Sequence, residues 1–313
     1  MVRLNPIVKK DIRVQARSMK IAWGLFAYEG IMALIFFLAM SFFQVDNSYS
    51  STNIYSNIVM LYPMLAIAQI SILAVVVPII TASSISGEKE RQTFDIMMTT
   101  SMTPFSIIAG KVTTAMVQGL LFVVGAMPVM ALAFVIGGMS WAYLLWFLLI
   151  AMLVSLFSAS IGICCSALCK KSIVSVIMSY GIYVVFVVLT FLPNILYLLW
   201  GYRNSFDQLT MGMFVVMLFY LLNPIFYLIE FFVWTMTGTS GVYETFKEIF
   251  EEMNMKMPFN DAVWHYGWMT VSTILFLLVS FLFLLLAAKK ITPVSKRKAK
   301  KLAQLEMQRR MHE

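Results

Sequence analysis

Residues 58–82 read IVMLYPMLAIAQISILAVVVPIITA, and residues 83–111 continue as SSISGEKERQTFDIMMTTSMTPFSIIAGK. The first segment holds 25 residues and no charge, and a helix crosses the hydrocarbon core of a bilayer in about 20 residues. Backbone polar groups in lipid have no water to bond, so an apolar run of this length reads as a membrane-spanning helix. The second segment stops that run with consecutive charges from Glu88 to Arg91 and holds a short apolar stretch before the next long run.

Working outward, five further apolar runs reach spanning length: residues 21–43, 112–136, 141–168, 173–199 and 266–288. Of all 313 residues, 61% are hydrophobic and only 12% are charged, about half the charged share of a soluble domain. Such a chain cannot cover itself against water, which excludes an ordinary soluble enzyme, a disordered chain and a secreted disulfide scaffold. Cys164, Cys165 and Cys169 lie together with no His or carboxylate nearby, so they read as packing residues in a reducing compartment rather than metal ligands.

A seventh apolar stretch, residues 211–234, contains Asn223-Pro224 and Glu230. Charge parity decides whether it crosses, because basic residues accumulate on the cytoplasmic side. Arg3, Lys9, Lys10, Arg13, Arg17 and Lys20 precede the first span, and a basic tail follows the last. Both ends therefore read as cytoplasmic, which requires an even number of crossings. Six crossings place 20 of the 23 Lys and Arg inside, whereas seven break the pattern. The expected fold is an all-α integral membrane protein with six transmembrane helices and a re-entrant external hairpin, broken at Asn223-Pro224, between spans five and six. The first run lacks a small-residue cleavage site after it and is expected to remain as an anchor. The organisation follows: residues 1–20 as a cytoplasmic interfacial helix, 21–288 as the transmembrane domain with an external segment at 201–265, and 289–313 as a basic cytoplasmic tail. The external segment holds no Cys and no N-x-Ser/Thr sequon, which fits a bacterial plasma membrane.

Residues 5–20 are amphipathic. Asn5 can cap the helix and Pro6 suits its first position. Lys9, Lys10, Arg13, Arg17 and Lys20 share one arc, with Leu4, Ile7, Val8, Ile12 and Met19 opposite, as in a helix lying among lipid headgroups. A plain solvated charge run is the bland alternative. Residues 83–111 are more than a hydrophilic connector. Beyond the charge cluster, Phe94, Ile96, Met97 and Met98 form a short helix with an apolar side, and Thr103-Pro104 caps and starts the next helix. On spacing alone, a helix that transmits force to a docked partner and a stop-transfer cluster with a surface helix fit equally well. Lys111 reads as a snorkelling lysine at a span boundary.

Together, the basic amphipathic N-terminal helix, the six spans, E-K-E-R-Q-T-F-D after the second span, T-P and G-K opening the third, and L-L-N-P between the last two resemble a type-2 ABC transporter permease. The resemblance covers nearly the whole chain. It implies that Glu88, Lys89, Glu90, Arg91, Thr93, Phe94 and Met97 belong to a coupling helix meeting a separate ATPase subunit. It also implies that Asn223, Pro224 and Glu230 lie in an external re-entrant helical pair. The family's pathway runs between two permease chains near the second and fifth spans, which makes Gln69, Ser71, Ser179 and Tyr183 candidates. Glu29, a carboxylate inside the first span, joins them because such groups are costly and usually purposeful.

The sequence contains no G-x-x-x-x-G-K-[ST] phosphate loop, so in the transporter that the resemblance implies, ATP hydrolysis is expected from partner subunits. No catalytic residue, metal or cofactor is expected. Gly238-Thr239-Ser240-Gly241 with His265 only superficially suggests a serine nucleophile. Ser158, Gly162 and Ser166 at four-residue spacing read as a helix-packing stripe, and residues 242–253 as an acidic amphipathic helix that is either a lid or a plain cap. The expected function is the permease of an ATP-driven exporter of an amphipathic or hydrophobic cargo: a peptide or antimicrobial, a lipid or a drug. Its expected partners are ABC ATPase subunits, a second permease chain in a homo- or heterodimer, and membrane lipids, with no nucleic acid. The alternative is a secondary transporter or channel without an ATPase.

Overall fold

Over their described residues the spanning-length apolar runs are largely helical, the helix being the one open-ended element that satisfies its own backbone in lipid. The computed structural model describes residues 6–47, 60–98, 103–136, 141–203, 219–252 and 261–291. Its helices are α1 (Pro6–Ala16), α2 (Met19–Asn47), α3 (Leu61–Glu90), α4 (Phe94–Met98), α5 (Pro104–Gly125), α6 (Met127–Ile136), α7 (Trp141–Leu168), α8 (Ser172–Arg203), α9 (Pro224–Thr237), α10 (Gly241–Glu252) and α11 (Asp261–Ile291). Among the described residues, five segments are long and apolar enough to cross a membrane: Ile21–Phe42, Leu61–Glu90, Pro104–Gly125, Ala142–Leu168 and Gly267–Ile291. The protein is a multi-pass membrane protein. The remaining expected span falls in α8, a helix of 32 residues whose described apolar part is Ser172–Phe186.

Three boundaries differ from expectation. The helix α1 ends at Ala16, and Arg17 and Ser18 separate it from α2, so Arg17 and Lys20 fall outside the helix assigned to them. Its Ile7 and Val8 are buried, and α1 packs on α5, so part of its apolar face is spent within the chain. The second span does not end at residue 82 but stays helical to Glu90. The expected third span, 112–136, is instead two helices that meet at Ala126. Pro128 explains this break, since it has no N–H to give to the carbonyl of residue 124 and its ring crowds that turn.

The core lies where α3 and α7 cross. A Cβ placed on Gly162 would overlap Thr81 Oγ1 and stand 3.2 Å from the backbone nitrogen of Ala82. The hydroxyl of Ser166, one turn along α7, accepts the backbone N–H groups of Ile85 at 2.9 Å and Ser86 at 2.8 Å. Small residues at this spacing let the two backbones touch. A larger cluster including Tyr62, Leu65, Ile70, Phe147 and Phe157 fills one part of the bundle. A second cluster joins Ile85, Ile108, Val112, Ile163, Ala287 and Ile291. This second cluster lies at the end of the bundle that carries Lys89, Lys111 and Lys290, the basic end.

At that end α3 stops in a Schellman motif. Gln92 donates its N–H to the carbonyl of Lys89 at 3.1 Å, and Thr93 to that of Glu88 at 3.0 Å. The motif needs a left-handed residue at Gln92, which has φ +57°. A β-branched side chain is strained in that region, so Gln92→Val is expected to lower stability by about 1–2 kcal/mol while Gln92→Gly is tolerated. Thermal midpoints of the two variants in detergent check this.

Candidate functional site: a charge-tied junction

Successive residues on a helix point about 100° apart, so three in a row at a helix end face three different neighbours. Glu88, Lys89 and Glu90, the last turn of α3, use this. Glu88 Oε1 pairs with Lys111 Nζ of α5 at 2.8 Å. Lys89 Nζ donates to the carbonyls of Ser166 at 3.3 Å, Ala167 at 2.6 Å and Cys169 at 3.1 Å, closing the C-terminus of α7. Glu90 accepts from the backbone N–H of Ser172 at 2.9 Å and from its hydroxyl at 2.8 Å, capping α8. Both contacts also match the helix dipoles, a cation at a C-terminus and an anion at an N-terminus.

The same turn presents a second, outward layer. Arg91 and Thr93 are exposed, and the Thr93 hydroxyl donates to the Glu88 carbonyl at 3.2 Å. Phe94 and Met98 are half-buried against the basic-end cluster, and the ammonium of Lys89 stands 5.6 Å from the Phe94 ring centre. Met97 is half-buried, while Ile96 of α4 is 69% exposed. Thr103 caps α5 by accepting the N–H of Ser106 at 3.3 Å, with Pro104 at the first helical position. Of the residues nominated from the sequence, Glu88, Lys89 and the exposed Glu90 therefore bond to neighbouring helices, Phe94 and Met97 are half-buried, and Arg91 and Thr93 are exposed.

Lys111 is the residue that sequence reading misplaced. It does not snorkel: it is 8% exposed and pairs with Asp11 of α1 at 3.0 Å as well as with Glu88. The available signal was Asp11 itself, an acid set among Lys9, Lys10 and Arg13 on an otherwise cationic helix.

The remaining candidates divide. Gln69 is buried and donates to the carbonyl of Val123 at 3.3 Å, beside the α5–α6 break. Glu29 comes to the same break, its Oε1 standing 2.8 Å from the position a Cβ on Gly125 would take. Ser179 is buried and bonds within its own helix to the carbonyl of Val176. Tyr183 donates to Ser158 and packs α8 on α7. Ser71 alone of these points outward, on a stripe of α3 with Met64, Ile67, Val75 and Ile79. The neighbouring helix α8 exposes Ile177, Val184 and Val185, and its Tyr180 hydroxyl donates to the Val75 carbonyl.

In the L-L-N-P segment, α9 begins at Pro224 with Asn223 before it, and the preceding residues 204–218 lie outside the described set. The hydroxyl of Ser272 donates to the carbonyl of Leu221 at 2.7 Å, tying this turn to α11. Glu230 is buried and accepts the N–H of Val242 at 2.8 Å, which caps α10. Ser240 accepts the N–H of Tyr243 at 3.1 Å, so its hydroxyl serves as a second cap. The side chain of His265 lies outside the described residues. A groove of about 670 Å³ opens between α7, α9 and α11, lined by Trp146, Leu149, Tyr227, Trp234, Met269 and Ile274 among others.

A family model described as ABC-2 family transporter protein matches residues 5–289, and the chain belongs to that family. No curated individual protein matches it. Membership makes the chain a permease-type membrane component of the ABC transporter class and not itself an ATPase.

Proposed function

We propose that the chain is the permease subunit of an ATP-driven exporter, working with ABC ATPase subunits and a second permease chain. The observation that supports this most is the two-layered turn at the basic end. Glu88, Lys89 and Glu90 tie α3 to α5, α7 and α8, and the outward layer offers Arg91 and the exposed Ile96. A partner that presses on α4 thereby moves the ends of several helices at once. In this reading the basic end is cytoplasmic, the chain crosses the plasma membrane six times, and residues 201–265 lie outside. ATP closes the ATPase pair, the coupling segment shifts, and the apolar face of α3 and α8 with Ser71 opens toward the second permease. The groove between α7, α9 and α11, with no charged side chain in its described lining, favours an apolar or amphipathic cargo such as a peptide, a lipid or a drug.

An apolar anchor at a docking surface contributes most when it is fully desolvated on binding, and a carboxylate in its place must be desolvated instead. Ile96→Asp is therefore expected to weaken retention of the partner ABC ATPase subunit by about tenfold, or about 1.4 kcal/mol. Co-purification from membranes, with the variant's own yield unchanged, is the measurement. Undiminished retention overturns the docking role of α4, and no retention by the wild-type chain favours a transporter without an ATPase.

A further inference from the structure

The helix α1 enters the junction through one ion triad. Lys111 Nζ stands 3.0 Å from Asp11 Oδ2 of α1 and 2.8 Å from Glu88 Oε1 of α3. The Lys111 side chain is 8% exposed, and those of Asp11 and Glu88 are 17% and 21% exposed. Glu88 Oε2 is buried with no hydrogen-bond partner among the described residues, so among them Lys111 is the cation that pairs with this carboxylate. Pulling either carboxylate away leaves an under-compensated charge in a poorly hydrated site, where such a loss is steep. A short displacement of the α3 end is therefore met most cheaply by Lys111 and Asp11 following it. Below the triad, Ile7 and Val8 are buried and α1 packs on α5, which gives α1 a body that can be carried.

We infer that the Asp11–Lys111–Glu88 triad makes α1 part of the moving coupling block, so that the N-terminal helix shifts with the ATPase-facing turn. Lys111 is a positioning residue in this scheme, acting through Glu88 and Asp11. The inference rests on the reading of Glu88–Met98 as the ATPase contact. It adds that the stroke delivered there reaches the cationic helix carrying Lys9, Lys10 and Arg13, all exposed. Asp11 sets α1's position relative to the stroke, and the packing of Ile7 and Val8 alone does not.

Pulsed spin-label distance measurements on the full complex in nanodiscs test it without knowledge of the cargo. The half-exposed Cys169 is replaced by Ser, and labels are placed at the exposed Val14 on α1 or at Arg91, each paired with Lys289 on α11 as reference. With ATP and vanadate, both the Arg91 and the Val14 distances are expected to shift in the wild-type background. In Asp11→Asn or Glu88→Gln, the Arg91 shift remains and the Val14 shift is lost; Lys111→Arg alone, whose fork reaches both carboxylates, keeps both shifts. A Val14 distance that stays fixed while Arg91 moves overturns the inference. So does a Val14 shift that survives both variants, because packing then carries α1 unaided. If the wild-type chain retains its ATPase but Arg91 does not move, or if no ATPase is retained, the proposed coupling role falls and this inference falls with it.

Discussion

Lys111→Met is expected to destabilise the chain by about 3–5 kcal/mol, the usual consequence of removing one partner from a buried ion pair. The loss is large because both carboxylates stay behind. Asp11 and Glu88 approach the same ammonium within 3.0 Å, and without it they face one another in a site that water enters poorly. Glu88 is the worse placed, its Oε2 being buried and without a hydrogen bond among the described residues. Lys111→Arg keeps the charge and can serve both acids, so it is expected to stay within about 1 kcal/mol of wild type. Neutralising all three positions together, as Asp11→Asn, Glu88→Gln and Lys111→Met, is expected to recover most of the stability, since the penalty belongs to the orphaned charges and not to the missing pair. That triple variant still lacks the tie between α1 and α3. Thermal midpoints in detergent read the stability ranking, and a Lys111→Met midpoint equal to wild type would show that the triad does not hold the junction.

How much of this was legible in the sequence depends on the range of the interaction concerned. Long apolar runs declare helices because the constraint acts within each segment, and the Thr103-Pro104 start of α5 is likewise local. The short helix α4 was visible from Phe94, Ile96, Met97 and Met98 for the same reason. The end of α3 was not. Ser83, Ser84, Ser86 and Gly87 are weak helix formers, and their helix is sustained by a partner some eighty positions away, where Ser166 receives the Ile85 and Ser86 N–H groups. Family resemblance nominated the Glu88–Glu90 cluster as part of a coupling element, yet its bonds to α5, α7 and α8 could not be read from the sequence. Charges at a membrane boundary look alike whether they face a partner protein or a neighbouring helix, and the phase of the last turn decides between them. Lys111 illustrates the limit most sharply. Its acidic partners sit 23 and 100 residues away, so nothing in its own neighbourhood distinguishes a snorkelling lysine from a buried one. The division of the third run at Ala126, by contrast, was signalled by Pro128 and was lost because the apolar run continues unbroken past it.

Gly162→Leu is expected to have the largest effect of any single substitution in the membrane-embedded core. The position has no room: even the first side-chain carbon overlaps Thr81 Oγ1, lies 3.0 Å from Thr81 Cβ and stands 3.2 Å from the Ala82 nitrogen. Two of these obstacles belong to a side chain, but the third is backbone, so relief requires α3 and α7 to separate. Separation undoes more than packing. It withdraws Ser166 from the Ile85 and Ser86 N–H groups and draws the α7 carbonyls away from Lys89. Buried polar groups in lipid that lose their partners are costly to leave unpaired. Overpacking alone costs about 1–3 kcal/mol, and these bonds add to it, so the variant is expected to fail to accumulate as a folded, monodisperse species. Gly162→Ala grades the same effect and keeps the test informative. It should lower the thermal midpoint measurably, and Thr81→Ala added to it should recover part of the loss by removing the overlapping Oγ1. Full recovery is not expected, because the Thr81 Cβ and the Ala82 nitrogen remain close. The Thr81 hydroxyl also bonds the Val77 carbonyl at 2.8 Å, so Thr81→Ala carries a cost of its own. The measurable quantity is therefore the coupling between the two sites in a double-mutant cycle. A coupling near zero would mean that α3 and α7 do not meet at Gly162, and the junction built at the end of that crossing would lose its foundation.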